Sequence, residues 1–190
     1  MNSQNLDLPE SITIEVRSAK ATDVPAIHKL IEHWAHKDRM LLRPIDDLFT
    51  NLRDFFVAED MSVGIPQIIG TGALHILWGD IAEIRGLAVA PKLTARGIGR
   101  QLVKACEDEA RFLGVPTLFA WTYAVAFFER CGFTKIDKSR ELHPRVWSEC
   151  LRCTFYNNCN ENGMIKQLEG VPIPEGLPKP PISQVPPGIT

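Results

Sequence analysis

The sequence lacks the features of a membrane or secreted protein. No apolar run approaches the roughly 18 residues that a membrane-spanning helix requires, and the polar first residues show no signal-peptide pattern. The five cysteines are an odd number, which without a secretory signal favours reduced thiols over a disulfide framework. We therefore expect a cytoplasmic protein with no membrane partner.

The sequence also has little net charge, because 21 basic and 23 acidic residues leave a formal charge of −2. Nucleic acids and anionic membranes select basic surfaces, so no nucleic-acid partner is expected. A length of 190 residues with 45% apolar and 23% charged residues is typical of one globular domain. The sequence does not decide the oligomeric state, for which a homodimer is one option.

The two ends of the chain differ in composition from its middle. Residues 1–11 are polar and predict a loose N-terminal tail. Residues 169–190 hold half of the 14 prolines and show no apolar periodicity, which predicts an extended, largely disordered appendage. The folded domain is therefore expected over residues 12–168.

Residues 82–113 predict a strand that runs through a glycine turn into a helix. The strand covers residues 82–89, the turn is Arg96-Gly97-Ile98-Gly99-Arg100, and apolar residues then recur at steps of three and four: Ile98, Leu102, Cys106, Ala110 and Leu113. The free N–H groups and the dipole of such a helix start attract anions. The two glycines and two arginines of the turn therefore predict a phosphate site.

Two common phosphate motifs do not fit this turn. The third glycine of a dinucleotide fingerprint would fall at position 102, which is leucine. A triphosphate-binding loop needs Gly-Lys-Ser or Gly-Lys-Thr, and the sequence contains neither.

The coarse order of elements is strand, helix, helix, three strands, helix, strand, helix, strand. Thr22 is a candidate cap for the first helix, and residues 45–53 and 123–131 predict the second and fourth helices. Residues 133–137 predict the last strand. This order indicates an α/β sheet of mixed direction with helices on both faces.

The strand Ala-Glu-Ile-Arg-Gly-Leu-Ala-Val and the turn after it resemble the acetyl-CoA-binding motif of the GCN5-related N-acetyltransferases (GNAT). The match departs at Thr94, where that family usually has Arg or Gln. The resemblance implies a single-domain acyl-CoA N-acyltransferase fold, an α/β domain with a mixed, mostly antiparallel sheet. It also implies acetyl-CoA as co-substrate, held by Leu87, Ala88, Val89, Arg96, Gly97, Ile98, Gly99 and Arg100.

Glu83 is the candidate general base. Strand alternation predicts that Glu83, Arg85, Leu87 and Val89 share one face. The structural interpretation is an ion pair between Glu83 and Arg85 at the sheet edge. The functional interpretation is that Glu83 removes a proton from the amine that attacks the thioester, because an ammonium is not nucleophilic. Glu83 also stands where the resembled family often has its base.

An acid for the departing CoA sulfur is harder to assign. Many members of the resembled family use a tyrosine where this chain has Phe128. Thr122 and Tyr123 are the nearest hydroxyls, and we favour Tyr123. Backbone amides of residues 87–89 could bind the acyl oxygen.

The flanking segments resemble the acetyltransferase domain of N-acetylglutamate synthases. They include Leu-Leu-Arg-Pro at residues 41–44 and a segment at residues 142–153. The resemblance implies L-glutamate as the acetyl acceptor, the first step of arginine biosynthesis. It makes Arg43 a carboxylate-binding residue, with Arg152 or Arg145 as a second, and Arg85 is a further substrate-binding candidate. Acetylation of another small amine or peptide N-terminus, or CoA binding without turnover, are the alternatives.

Cys150-x-x-Cys153 followed by Cys159 could suggest a zinc site, with His143 as a further ligand. Only three cysteines cluster and no second Cys-x-x-Cys pair is present. We interpret them as structural thiols and predict no metal.

Overall fold

A computed structural model of the chain describes residues 12–62, 64–137, 143–151 and 159–180. Its strands are β1 (Ile14–Ser18), β2 (Phe55–Asp60), β3 (Gln67–Trp78), β4 (Ile81–Val89), β5 (Thr117–Thr122), β6 (Thr134–Lys135) and β7 (Asn162–Gln167). Its α-helices are α1 (Val24–Ala35), α2 (Ile45–Thr50), α3 (Ile98–Phe112), α4 (Val125–Arg130) and α5 (Pro144–Cys150). Among the described residues, no helix combines the length and the apolar character needed to cross a bilayer.

The strands form one sheet in the order β1-β2-β3-β4-β5-β7-β6. Its pairings are antiparallel except for β4 with β5, which is parallel. The predicted sheet of mixed direction is therefore confirmed.

The helices cover both faces of the sheet because successive side chains of a strand point to opposite sides. On β2, Phe55 and Val57 pack with Ile27 and Ile31 of α1. Ala58, the next residue along the strand, packs instead with Leu102 of α3. The helices α1 and α2 therefore lie on one face and α3 on the other, so the prediction of helices on both faces is confirmed.

The apolar spacing of α3 is largely as predicted. Ile98, Leu102, Cys106 and Ala110 are buried, and burial raises the pKa of the Cys106 thiol to about 12. Leu113 was wrongly included in this face: the helix ends at Phe112, and Leu113 is 48% exposed.

Several predicted boundaries are wrong. Thr22 does not cap α1; it lies within a 3₁₀ turn, Ala21–Asp23, which the Asp23 carboxylate closes by accepting a hydrogen bond from the Lys20 N–H at 2.7 Å. The fourth helix begins at Val125 rather than at Tyr123, so Tyr123 lies in the preceding loop. The strands and helices predicted from the sequence also omitted α5 and β7.

Residues 169–180, the described part of the proline-rich segment, contain no helix or strand. The indole Nε1 of Trp78 donates to the Pro178 carbonyl at 3.0 Å. A Cβ atom at Gly79 would lie 2.5 Å from Cδ2 of Leu177. This part of the segment therefore lies against the hairpin that joins β3 to β4.

Candidate active site

A cleft forms where the two parallel strands separate. β4 and β5 pair over residues 81–83 and 117–119, and β4 then continues to Val89 and β5 to Thr122. A cleft of about 510 Å³ lies between these continuations, lined by residues 83–89 and 121–124. Because the strands no longer pair there, backbone groups of β4 on this side can bind a ligand.

A β-bulge at Gly86 changes the direction of the side chains along β4. Arg85 pairs with Ala73 and Ala88 with Thr71, so Gly86 and Leu87 together lie opposite Gly72. Gly86 has φ +61°, a conformation that glycine adopts without the steric cost a side chain would add.

The prediction that Glu83, Arg85, Leu87 and Val89 share one face is therefore wrong. Arg85 pairs with Ala73, which packs on the α1 side of the sheet, whereas Leu87 and Val89 pack with Leu102 on the α3 side. The extra residue of the bulge shifts the alternation by one position. Glu83 and Arg85 thus share a face with each other but not with the residues beyond the bulge.

Glu83 lies at the last paired position before the strands separate. It is opposite His75 on β3 and Phe119 on β5. Its side chain lines the cleft and is half-buried. A carboxylate at the start of the cleft is placed to accept a proton from a bound amine.

Three arginines, Arg39, Arg43 and Arg85, line the same cleft, and an aspartate holds each of the last two. Arg43 Nη1 donates to Asp47 Oδ2 at 3.0 Å, one turn along α2. Arg85 Nη2 donates to Asp54 Oδ2 at 3.3 Å. Two guanidinium groups on one cleft form a site suited to carboxylates, because each offers a planar set of donors.

Arg85 is more deeply buried than Arg43, with a side chain 8% exposed against 24%. Burial lowers the pKa of Arg85, and the positive charge of Arg43 lowers it further, while Glu83, Asp54 and Asp47 act in the opposite direction. Arginine nevertheless remains a cation at neutral pH. Arg43 and Arg85 are therefore cationic side chains of the cleft that have nearby carboxylates as their counter-charges.

The glycine turn lies beside the cleft. Of its predicted phosphate-binding residues, 96–100, Gly99 is the one among the cleft-lining residues. Gly97 has φ +84° and is the N-cap of α3, so the first N–H groups of the helix lack intrahelical partners. Arg96 and Arg100 are exposed. The Ile98 side chain is buried, so Ile98 can serve a phosphate only through its backbone N–H.

The candidate acids lie at the far wall of the cleft. Tyr123 and Thr122 both line it, but the Thr122 hydroxyl already accepts a hydrogen bond from the Ala124 N–H at 2.9 Å. Phe128 is 4% exposed and packs edge-on against Phe133. Accepting the hydrogen bond from Ala124 leaves the Thr122 O–H able to donate, so the choice of Tyr123 as the acid stays a prediction.

The structure also shows cleft residues that the sequence did not single out. Trp34 of α1 lines the cleft, and its Nε1 donates to the Val89 carbonyl at 2.8 Å. Glu161, just before β7, lines it as well. Nothing in the local sequence distinguishes them, because Trp34 reads as part of an apolar helix face and β7 carries no clear alternation. Arg152 and Cys153 lie outside the described residues.

Sequence comparisons identify relatives of this chain. A family model described as Acetyltransferase (GNAT) family matches residues 21–133. An uncharacterised N-acetyltransferase of Chlorobaculum tepidum is 36% identical over 154 residues, covering 80% of this chain and 96% of that protein. An amino-acid acetyltransferase of Mycobacterium tuberculosis is 39% identical over 122 residues, covering 64% of this chain and 69% of that protein.

Solved structures agree with these relatives. A Mycobacterium tuberculosis protein in complex with CoA and NLQ superposes with a TM-score of 0.70 at 32% identity, covering 81% of this chain and 99% of that chain. The N-acetylglutamate synthase of Neisseria gonorrhoeae, complexed with coenzyme A and N-acetyl-glutamate, gives a TM-score of 0.71 at 25% identity. That likeness covers 84% of this chain but 36% of the synthase. The predicted acyltransferase fold is confirmed.

Proposed function

The chain belongs to the acetyltransferase (GNAT) family, and from that premise we propose that it acetylates the α-amine of L-glutamate. The broader activity is that of an acetyl-CoA-dependent N-acetyltransferase. The observation that carries the choice of substrate is the lining of the cleft, which includes the carboxylate of Glu83 and the guanidinium groups of Arg43 and Arg85. A protein in this role would act in the cytoplasm, in arginine biosynthesis.

Acetyl-CoA is the co-substrate, and the split strands and the glycine turn are suited to its two ends. The pyrophosphate would bind at the start of α3, to the N–H groups of Ile98, Gly99 and Arg100 and to the arginine side chains of the turn. The thioester arm would lie along the open edge of β4, where the backbone of residues 87–89 offers hydrogen bonds. The acetyl group would then meet the amine in front of Glu83.

The acyl transfer needs a base and an acid. Glu83 would take a proton from the ammonium of the substrate, directly or through water, and the freed amine would attack the thioester carbonyl. A backbone N–H of residues 87–89 would stabilise the oxyanion of the tetrahedral intermediate. Collapse of the intermediate breaks the carbon–sulfur bond, and Tyr123 would donate the proton that the departing thiolate takes up.

The charges of the cleft support a dicarboxylic amino acid as acceptor. Glutamate has two carboxylates, and arginine binds a carboxylate through parallel hydrogen bonds. We assign one carboxylate of glutamate to Arg43. Arg85 is the candidate for the other carboxylate among the residues that the structure describes. The relatives point the same way, since one is named an amino-acid acetyltransferase and a neighbouring synthase was crystallised with N-acetyl-glutamate.

The test is CoA release from acetyl-CoA, measured with each of the twenty amino acids and with spermidine. Glutamate should be the best acceptor. Loss of a charge-assisted pair of hydrogen bonds costs about 1.5–3 kcal/mol, and each 1.4 kcal/mol is about tenfold in affinity. Arg43→Ala should therefore raise the KM for glutamate by about ten- to a hundredfold and leave the KM for acetyl-CoA unchanged.

Arg53→Ala is the matched control, because Arg53 is exposed and lies outside the cleft-lining residues. It removes the same charge and should leave both KM values as they are. If Arg43→Ala keeps the wild-type glutamate KM, Arg43 does not bind a glutamate carboxylate. If glutamate is no better than spermidine in the wild type, glutamate is not the substrate. The protein would then acetylate a different amine.

A further inference from the structure

Asp54 lies behind the cleft and joins two polar side chains of the sheet. It ends the 3₁₀ turn Leu52–Asp54, directly before β2. A single oxygen, Oδ2, lies 2.7 Å from Nδ1 of His75 and accepts a hydrogen bond from Nη2 of Arg85 at 3.3 Å. An ionised carboxylate can only accept, so His75 carries its proton on Nδ1 in this arrangement.

Arg85 is only partly satisfied by this contact. Its side chain is 8% exposed, and its Nε is buried with no hydrogen-bond partner among the described residues. Buried donors in folded proteins are nearly always paired, and an unpaired one costs free energy. The Arg85 side chain also lines the cleft, where a ligand carboxylate can supply acceptors to its terminal nitrogens.

We propose that Asp54 is a positioning residue that holds the Arg85 guanidinium for a carboxylate of the amino-acid substrate, with His75 fixing Asp54 in turn. The inference rests on the proposed function and extends it, because it names what holds the second arginine. Asp54 itself does not line the cleft; it acts through Arg85.

Asp54 helps Arg85 to bind a substrate carboxylate rather than competing with that carboxylate for the guanidinium. Arg85 is buried near the like charge of Arg43, so an arginine without a counter-charge would be unfavourable there. The Asp54 carboxylate supplies that counter-charge and contacts a single nitrogen of Arg85, Nη2. The same carboxylate oxygen, Oδ2, also contacts His75. The guanidinium has further N–H donors on Nη1 and Nη2, and these stay available for the two oxygens of a substrate carboxylate.

The same arrangement occurs at the other arginine. Arg43 also contacts its aspartate, Asp47, through a single nitrogen. That pair is local to α2 and more exposed, with side chains 24% and 35% accessible. The Asp54 contact instead connects the loop before β2 to β4, so it fixes the arginine relative to the sheet that carries Glu83.

A double-mutant cycle tests this role, because it measures whether Asp54 acts through Arg85. The variants are Asp54→Asn, which keeps the shape, Arg85→Met, which keeps the length without the charge, and the double variant. Loss of one charge-assisted hydrogen bond corresponds to about tenfold in affinity, so Asp54→Asn should raise the glutamate KM by about tenfold. The kcat and the KM for acetyl-CoA should stay within about twofold of wild type.

In the Arg85→Met background, the Asp54 substitution should have no further effect on the glutamate KM. Asp46→Asn is the control for loss of a carboxylate, since Asp46 is exposed on α2 and does not line the cleft. Melting curves of all variants separate a folding defect from a binding defect. A purely structural role of Asp54 would lower the melting temperature and leave the glutamate KM of the folded fraction unchanged.

The outcomes separate this inference from the proposed function. Two results would overturn the role of Asp54 and leave the proposed function standing. One is that Asp54→Asn raises the glutamate KM equally in the wild-type and the Arg85→Met backgrounds. The other is that Asp54→Asn does not change the glutamate KM. If another carboxylate-bearing amino acid is the best acceptor, the proposed function is wrong and the cycle is measured with that acceptor. A best acceptor without a carboxylate overturns both.

Discussion

The β-bulge at Gly86 should be needed both for stability and for the shape of the cleft. Gly86 has φ +61°, and a Cβ atom there would lie 3.3 Å from Cε1 of Phe55. Gly86→Ala therefore introduces two unfavourable terms at once, a left-handed alanine and a tight contact with a buried ring.

The size of the stability loss follows from these terms. An L-residue in the left-handed region costs about 1–2 kcal/mol, and the stiffer unfolded chain of alanine returns about 0.4–1 kcal/mol. The contact with Phe55 adds to the cost, so a net loss of about 1 kcal/mol is expected from these ranges. For a chain of this size, this loss lowers Tm by about 2–4 °C.

Activity should fall by more than this stability loss explains. The chain can relieve the strain by losing the bulge, which moves residues 87–89 by one register position and turns Leu87 and Val89 to the other face. Displacements of about 1 Å in a reacting geometry cost up to about 10² in rate. We therefore expect kcat/KM for acetyl-CoA to fall by at least about tenfold.

Gly64→Ala is the matched control for Gly86→Ala. Gly64 lies in the turn between β2 and β3, and a Cβ there would meet nothing within 4 Å. Its Tm and activity should equal those of wild type, since exposed substitutions usually change stability by less than about 0.5 kcal/mol. A Gly86→Ala variant with wild-type Tm and wild-type kcat/KM would show that the bulge does not shape the site.

Three further substitutions test other parts of the chain. Glu83→Gln should lower kcat by about 10², the usual scale of a lost base, and the loss should shrink at high pH; undiminished turnover at pH 7 would remove Glu83 from the mechanism. Gly99→Val should weaken acetyl-CoA binding in calorimetry, because a Cβ at Gly99 would lie 3.2 Å from the Phe127 ring, whereas unchanged affinity would place the cofactor elsewhere. The hydrogen bond from Arg17 lowers the pKa of Asp23, so its stabilisation is present above the unfolded-state pKa and is lost as pH falls through the lower folded value. Asp23→Asn should accordingly lower Tm at pH 7 but not at strongly acid pH, and a Tm difference independent of pH would contradict the ion pair.

The sequence alone determined the elements whose signals are local. The apolar spacing of α3 follows from the helical repeat, and it predicted the buried face from Ile98 to Ala110. The strand, the glycine turn and the helix that follow one another over residues 82–113 are likewise predicted by neighbouring residues. Glu83 and Arg43 could be named because each belongs to a short segment that resembles a known motif.

The tertiary structure alone decided what depends on residues far apart in the chain. Asp54 and His75 meet Arg85 only because β2, β3 and β4 lie side by side, and no local pattern marks an aspartate before a strand as a partner of an arginine 31 positions later. The bulge at Gly86 was missed because a glycine within a strand is compatible with regular alternation until the register with β3 is known. The cleft itself exists because β4 and β5 pair over a few residues and then part, a property of the assembled sheet rather than of either strand.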